Sequence, residues 1–205
     1  RGKIRDVIWS GGLGGLDFRS DAAVALLKRA DIIVTNPPFS LFREFIDLLM
    51  ENDKKFLAIG NKNAIGYKTF FNLIKESKVH TGVRRFREIL YFSTPDDPMP
   101  TKDIPAVWFT NLSHNFMRPY LATGKKYSDN KFVKYDNADA INIDKVKDIP
   151  MDYFGTMGVP ITFIDKYNPD QFEILGLDRD YTTDRRGLKL NGRDIYHRIF
   201  IRRKK

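Results

Sequence analysis

Apolar residues recur every three to four positions in "AVALLKRA" (23–30), in "SLFREFIDLLMEN" (40–52) and in "YKTFFNLIKES" (67–77). That spacing gives a helix one buried face, and in the middle segment Leu41, Phe42, Phe45, Ile46, Leu48 and Leu49 supply it, with Ser40 placed to cap. Between these segments lie "DIIVTN" (31–36) and "KKFLAIGN" (54–61), short β-branched runs of the kind that form strands of a buried parallel sheet. Strand and helix in alternation at this spacing predict a parallel sheet covered by helices. "EILYFST" (88–94) and "IPAVWFTNL" (104–112) follow as strands without an intervening helix, so an antiparallel edge is expected. Beyond Leu112 the chain turns polar, and "VPITFIDKY" (159–167), "FEILGLD" (172–178) and "RDIYHRIFIRRK" (193–204) read as strands, the last as an edge strand. A soft boundary near residue 113 divides the chain into 1–112 and 113–205.

Composition narrows the class. The 205 residues, 42% of them hydrophobic, are enough for a real core, and no cysteine is present for a disulfide or a thiolate metal site. The absence of thiols, of a long apolar run and of a secretory signal pattern predicts a soluble, cytoplasmic protein without membrane association. The net charge is +9, and it is concentrated: Arg185 to Lys205 carry nine basic residues against Asp194 alone. Such a patch suits a phosphate-bearing partner, with Arg185, Arg186, Arg202 and Arg203 as candidate contacts, although a solvated basic tail has the same composition. His80, His114 and His197 show no metal-ligand spacing and read as surface or hydrogen-bonding residues, so no metal is expected. The acidic stretch 136–144 lacks the central glycine of a calcium loop and reads as a turn. Phe70 and Phe71 suit either a base pocket or the core. The cluster Lys78, His80, Arg84, Arg85 and Arg87 suits either phosphate or solvent.

The chemistry concentrates where the first strand stops, at Asn36, Pro37, Pro38 and Phe39. Ligands of open α/β sheets sit beyond the carboxyl ends of strands. Two prolines there remove two N–H donors and stiffen the loop, and Pro37 biases Asn36 toward extended backbone. The Asn36 side-chain oxygen and the Pro37 carbonyl can then accept both hydrogens of an exocyclic amino group, while Phe39 offers a flat face to its ring. Paired acceptors aim the nitrogen lone pair and stabilise the positive charge that grows on it during alkylation, as methyl transfer from a sulfonium donor requires. A base paired inside a duplex reaches such a site only by rotating out of the stack.

The segment "DFRSDAAVALLKRADIIVTNPPFSLFREFIDLL", together with "YDNADAINIDKVKDIP", "GVPITFIDKYNPDQFEILGL" and "LNGRDIYHRIFIRR", resembles the adenine-specific DNA methyltransferases of the EcoRI-type modification methylase family. The resemblance implies a class I, Rossmann-like methyltransferase core with S-adenosylmethionine as methyl donor and adenine N6 in double-stranded DNA as acceptor. It also implies a restriction-modification role beside an endonuclease acting on the same site. It assigns Asn36, Pro37, Pro38 and Phe39 to the catalytic loop, places Asp17 and Phe18 beside the cofactor's adenine, and gives 113–205 a part in recognising the target. The family's Asp/Phe-x-Gly-x-Gly cofactor loop has no match before Asn36, since "GGLGG" (11–15) reads as a linker. The chain is therefore expected to be the carboxyl-terminal part of a longer enzyme. Two further readings follow: a DNA-binding fragment or regulator that kept the fold without catalysis, and the same loop acting on RNA or on a protein amide.

Overall fold

The computed structural model describes residues 17–82, 86, 88, 105–113, 120–182 and 187–205. The expected strand at 88–94, the glycine-rich stretch 11–15, Arg84, Arg85, Arg87, His114, Arg185 and Arg186 fall wholly or almost wholly outside them.

Helix α1 (Asp21–Arg29) starts where the Ser20 hydroxyl accepts the Ala23 N–H at 3.3 Å, and it carries Asp21 in its first turn and Lys28 and Arg29 in its last, matching the helix dipole. Strand β1 (Ile32–Thr35) runs parallel to β2 (Lys55–Asn61), and helix α2 (Phe42–Glu51) connects them. Phe42, Phe45, Ile46 and Leu49 lie on the buried face of α2, as the periodicity predicts. Helix α3 (Lys68–Lys75) buries Phe70, Phe71 and Ile74, so these two aromatics belong to the core and not to a base pocket.

The remaining strands of this sheet depart from expectation. β4 (Ala106–Thr110) is antiparallel to β2 but interior, because β3 (His80–Thr81) pairs with its far side to give the order β1-β2-β4-β3. Among the described residues β1 lies at the other end of this sheet, and its Ile32 and Val34 are 52% and 64% exposed where the sequence predicts a buried strand. Asn111 closes the start of β2 by accepting the Phe56 N–H and donating to the Lys54 carbonyl, each at 2.8 Å.

A second sheet has the order β5-β6-β10-β7, formed by β5 (Ile141–Asn142), β6 (Thr156–Pro160), β7 (Phe172–Leu177) and β10 (Arg198–Arg203). β10 is interior, antiparallel to both neighbours, with an irregularity between Phe200 and Ile201; it is not the edge strand its alternation suggests. The stretch after β6 winds into a 3-10 helix at Ile161–Lys166 where a continuous strand was expected. Between β7 and β10 projects a hairpin, β8 (Lys189–Leu190) and β9 (Arg193–Asp194), whose turn residues Asn191 and Gly192 have φ of 50° and 74°. Two positive φ values in succession define the two-residue turn that matches strand twist. The Asp136 carboxylate accepts the N–H groups of both turn residues, at 3.1 and 2.7 Å, which gives the acidic stretch 136–144 its structural task.

The two sheets lie on either side of the boundary near residue 113, yet one buried cluster runs from Leu27 and Phe109 to Phe163 and Ile201. Polar ties also cross it: Lys75 Nζ donates to the Leu175 carbonyl at 3.0 Å and the Tyr167 hydroxyl to the Lys75 carbonyl at 3.2 Å. Among the described residues no helix is long and apolar enough to cross a membrane.

Candidate functional site

At the carboxyl end of β1 the chain stops pairing and leaves Asn36 exposed. The Asn36 side chain has no hydrogen-bond partner among the described residues, so its oxygen is available to a ligand. Pro37 is buried and holds the loop down. Pro38 adopts φ −56° and ψ 127°, and its carbonyl accepts the Leu41 N–H at 3.0 Å. That bond starts a 3-10 turn over Phe39–Leu41, which runs directly into α2. Ser40 therefore sits inside the turn and caps nothing, contrary to the sequence expectation; Leu41 occupies the N-cap without a side-chain bond.

Phe39 is half-buried against Ile59 and Ala106, alongside Trp108. Three residues on, Phe42 is 1% exposed and fits a slot that Gly60 opens: a Cβ on Gly60 would stand 2.5 Å from two carbons of the Phe42 ring. The loop is thus fixed below by Pro37 and Phe42 and presents the Asn36 amide and part of the Phe39 ring above. Arg43, in the first turn of α2, lies 6.0 Å from the centre of the Tyr67 ring, which brings the loop following β2 beside the loop following β1.

Phe18 meets Phe45 of α2 edge to face at 5.2 Å and, with Val24 and Leu48, forms the apolar walls of an open cleft of about 320 Å³. Glu44, Asp47 and Glu51, at helical spacing along α2, line its acidic side, and Arg19 completes it. Burial pushes the Asp47 carboxyl above its ordinary range. A flat aromatic wall facing carboxylate acceptors suits a purine nucleoside, whose ring packs on the wall and whose amino group and ribose hydroxyls donate. Asp17 does not line the cleft itself but pairs with Arg19 at its margin. The Arg19 guanidinium donates to it at 2.6 and 2.9 Å and the Arg19 N–H at 3.0 Å, and these bonds hold its carboxyl down at about 2. A carboxylate whose titration is depressed by folding stabilises the fold above its ordinary range and loses that contribution as the pH falls from about 4 to about 2. Carbon-detected NMR titration of Asp17 is expected to give a midpoint near the lower value, and Arg19→Gln to return it to the ordinary carboxylate range; an unmoved midpoint in that variant would reject Arg19 as the cause.

The basic end divides into two kinds of residue. Arg202, Lys204 and Lys205 are exposed. Arg203 is 6% exposed, its guanidinium 4.7 Å from the centre of the Phe172 ring, and burial lowers its pKa. It packs inward, so it leaves the set of phosphate-contact candidates; the long aliphatic stem and planar head of arginine allow this, and composition gives no warning of it. Lys78 pairs with Glu76 at 2.7 Å, and His80 Nε2 lies 2.8 Å from the Leu112 carbonyl, so each already has a partner within the fold.

The sequence profile of the family described as adenine-specific methyltransferase EcoRI matches residues 4–204. Among curated proteins, the chain is 44% identical over 216 residues to the Type II methyltransferase M.EcoRI of Escherichia coli, a match that covers 98% of the chain and 66% of that protein. It is 41% identical to the Type II methyltransferase M.MpnI of Mycoplasma pneumoniae and 40% identical to M.MgeORF184P of Mycoplasma genitalium, each over 79% of the chain and 56% of the relative. The chain thus spans between roughly half and two thirds of these relatives' length. No solved structure matches it.

Proposed function

Because the chain belongs to the family of adenine-specific EcoRI methyltransferases, we propose that it serves a site-specific DNA methyltransferase that modifies the N6 amino group of an adenine rotated out of double-stranded DNA. In this reading the enzyme works in the cytoplasm and protects DNA from a restriction endonuclease acting on the same sequence. S-adenosylmethionine, when bound, supplies the methyl group, and Phe18 with Val24 and Leu48 would flank its adenine.

The observation that carries the proposal is the exposed Asn36 amide on a proline-stiffened loop at the carboxyl end of a parallel strand. Asn36 Oδ1 and the Pro37 carbonyl accept the two amino hydrogens and so localise the lone pair on the target nitrogen. As positive charge develops there, both acceptors bind more tightly, which lowers the barrier. Neither is a strong base. The proton leaves after the new bond has formed. Phe39 stacks on the extruded ring and keeps it from returning to the helix, while Pro37 and Phe42 hold the loop rigid beneath.

The parallel pair β1–β2, bridged by α2 and bearing the loop at its carboxyl end, supports a Rossmann-like class I core within 1–112, and the basic surface of 113–205 supports a part in target recognition. The direct test is transfer of labelled methyl from S-adenosylmethionine to unmodified duplex DNA, followed by digestion to nucleosides. Label in methyladenine is expected; label only in RNA, in protein or in another base would overturn the assignment.

Exposed cations should also govern DNA affinity. Changing Arg202, Lys204 and Lys205 together to Gln is expected to reduce the slope of log affinity against log salt by up to about 3, at roughly 0.9 for each phosphate that the protein ceases to neutralise. A slope equal to the parent's would mark these charges as bystanders.

A further inference from the structure

Asp178 is 4% exposed, at the end of β7, and its carboxylate meets His197 Nδ1 at 2.7 Å. The His197 side chain is 79% exposed. A carboxylate withdrawn from water normally needs a buried partner, yet here it holds an imidazole that faces solvent. The next residue back, Tyr196, is 89% exposed, far beyond what a surface tyrosine needs for solubility. Beneath the pair, the Arg198 guanidinium, 13% exposed, reaches the Tyr196 and His197 carbonyls at 3.3 and 3.5 Å and Asp144 at 3.5 Å. The dipeptide therefore stands on a pedestal: one buried charge fixes the ring of His197, and a nearly buried one braces both backbone carbonyls.

Immediately before it comes the β8–β9 hairpin, fastened by Asp136 and by Asn137, which donates to the Gly187 carbonyl at 2.9 Å and accepts the Lys189 N–H at 3.0 Å. The hairpin carries exposed Arg193 and half-exposed Lys189. Cations a few positions along the chain from two exposed, amphipathic side chains, one of them with its ring fixed by Asp178, suit a surface that grips phosphates at its rim and reads base edges at its centre. A carboxylate only accepts, so the bond puts a proton on His197 Nδ1 and turns Nε2 outward, while the Tyr196 hydroxyl can donate or accept.

We propose that Tyr196 and His197 read base edges of the target duplex, with Asp178 as the positioning residue that sets which hydrogen-bonding face His197 presents. The proposal rests on the DNA-methyltransferase reading above. It adds the element that distinguishes one DNA sequence from another.

The test uses the intact protein, a pool of duplex DNA with randomised sequence, and S-adenosylhomocysteine to hold complexes without turnover; bound fractions are sequenced. The parent should enrich one motif. Tyr196→Ala and His197→Ala should each relax at least one base pair of it by about tenfold or more, the scale on which one side chain discriminates between bases, with the salt slope unchanged, since neither removes a phosphate contact. Asp178→Asn should change the preferred base at the His197 position, because an amide N–H can bond Nδ1 and leave the proton on Nε2. Melting curves check that each variant is folded; the two exposed positions make that expected for Tyr196→Ala and His197→Ala even if Asp178→Asn is unstable. Parent and variants enriching the same motif, or a parent that binds without preference, would overturn the inference alone. No duplex binding by the parent at any salt would instead remove the DNA reading on which it stands.

Discussion

Replacing Asn36 by alanine is expected to lower methyl transfer by about 100-fold or more while leaving DNA affinity and thermal stability nearly unchanged. The size follows from removing one acceptor that tightens on the developing charge, a loss of roughly 3 kcal/mol in comparable sites. The selectivity follows from structure: Asn36 is exposed and has no partner among the described residues, so nothing in the fold depends on its amide. Exposed substitutions of this kind change stability by no more than about 0.5 kcal/mol. Single-turnover methylation, a binding isotherm on the same duplex and a melting curve separate the three quantities. Equal loss of binding and transfer would sink the assigned role, because it would make Asn36 a docking residue and not an acceptor in the transition state.

That loop was the most legible part of the sequence, since prolines act on their own backbone and need no neighbour to do so. The helices were legible for the same kind of reason: the faces of α2 and α3 are set by local spacing, and Phe42, Phe45, Ile46, Leu49, Phe70 and Ile74 are buried where it places them. Strand order was not. Ile32 and Val34 look like interior residues, yet among the described residues β1 ends its sheet; "RIFIRR" looks like an edge, yet β10 is flanked on both sides. Pairing is decided by segments far apart in the chain, and arginine obscures it further because Arg203 can stack inward on Phe172. Asp178 and His197, nineteen residues apart, meet only because β7 and β10 are neighbours, Leu177 lying opposite Ile199. No local spacing announces such a pair.

Phe42→Ala is expected to have the largest effect on stability, about 3–5 kcal/mol, by leaving a cavity where a fully buried ring has been removed. The ring meets Phe70 at 5.4 Å and Phe109 at 5.6 Å, and those two meet each other at 4.8 Å, so its removal opens a mutually packed cluster of aromatic rings. At roughly 2–4 °C per kcal/mol for a chain of this size, the melting temperature should fall by on the order of 10 °C. Methylation should fall with it, because Phe42 anchors the helix that starts three residues after Phe39. Destabilisation alone does not prove the proposed slot, and Gly60 supplies the sharper test. Gly60→Ala in the parent pushes a methyl group to 2.5 Å from the Phe42 ring, which Phe70 and Phe109 prevent from retreating, and should destabilise. In the Phe42→Ala background the same methyl enters empty space and also reduces the freedom of the unfolded chain, an effect of about 0.4–1 kcal/mol in favour of folding. The substitution should therefore change sign between the two backgrounds. Additive losses in the double variant would mean that Phe42 does not fill the space above Gly60 and that the loop bearing Asn36 is held by something else.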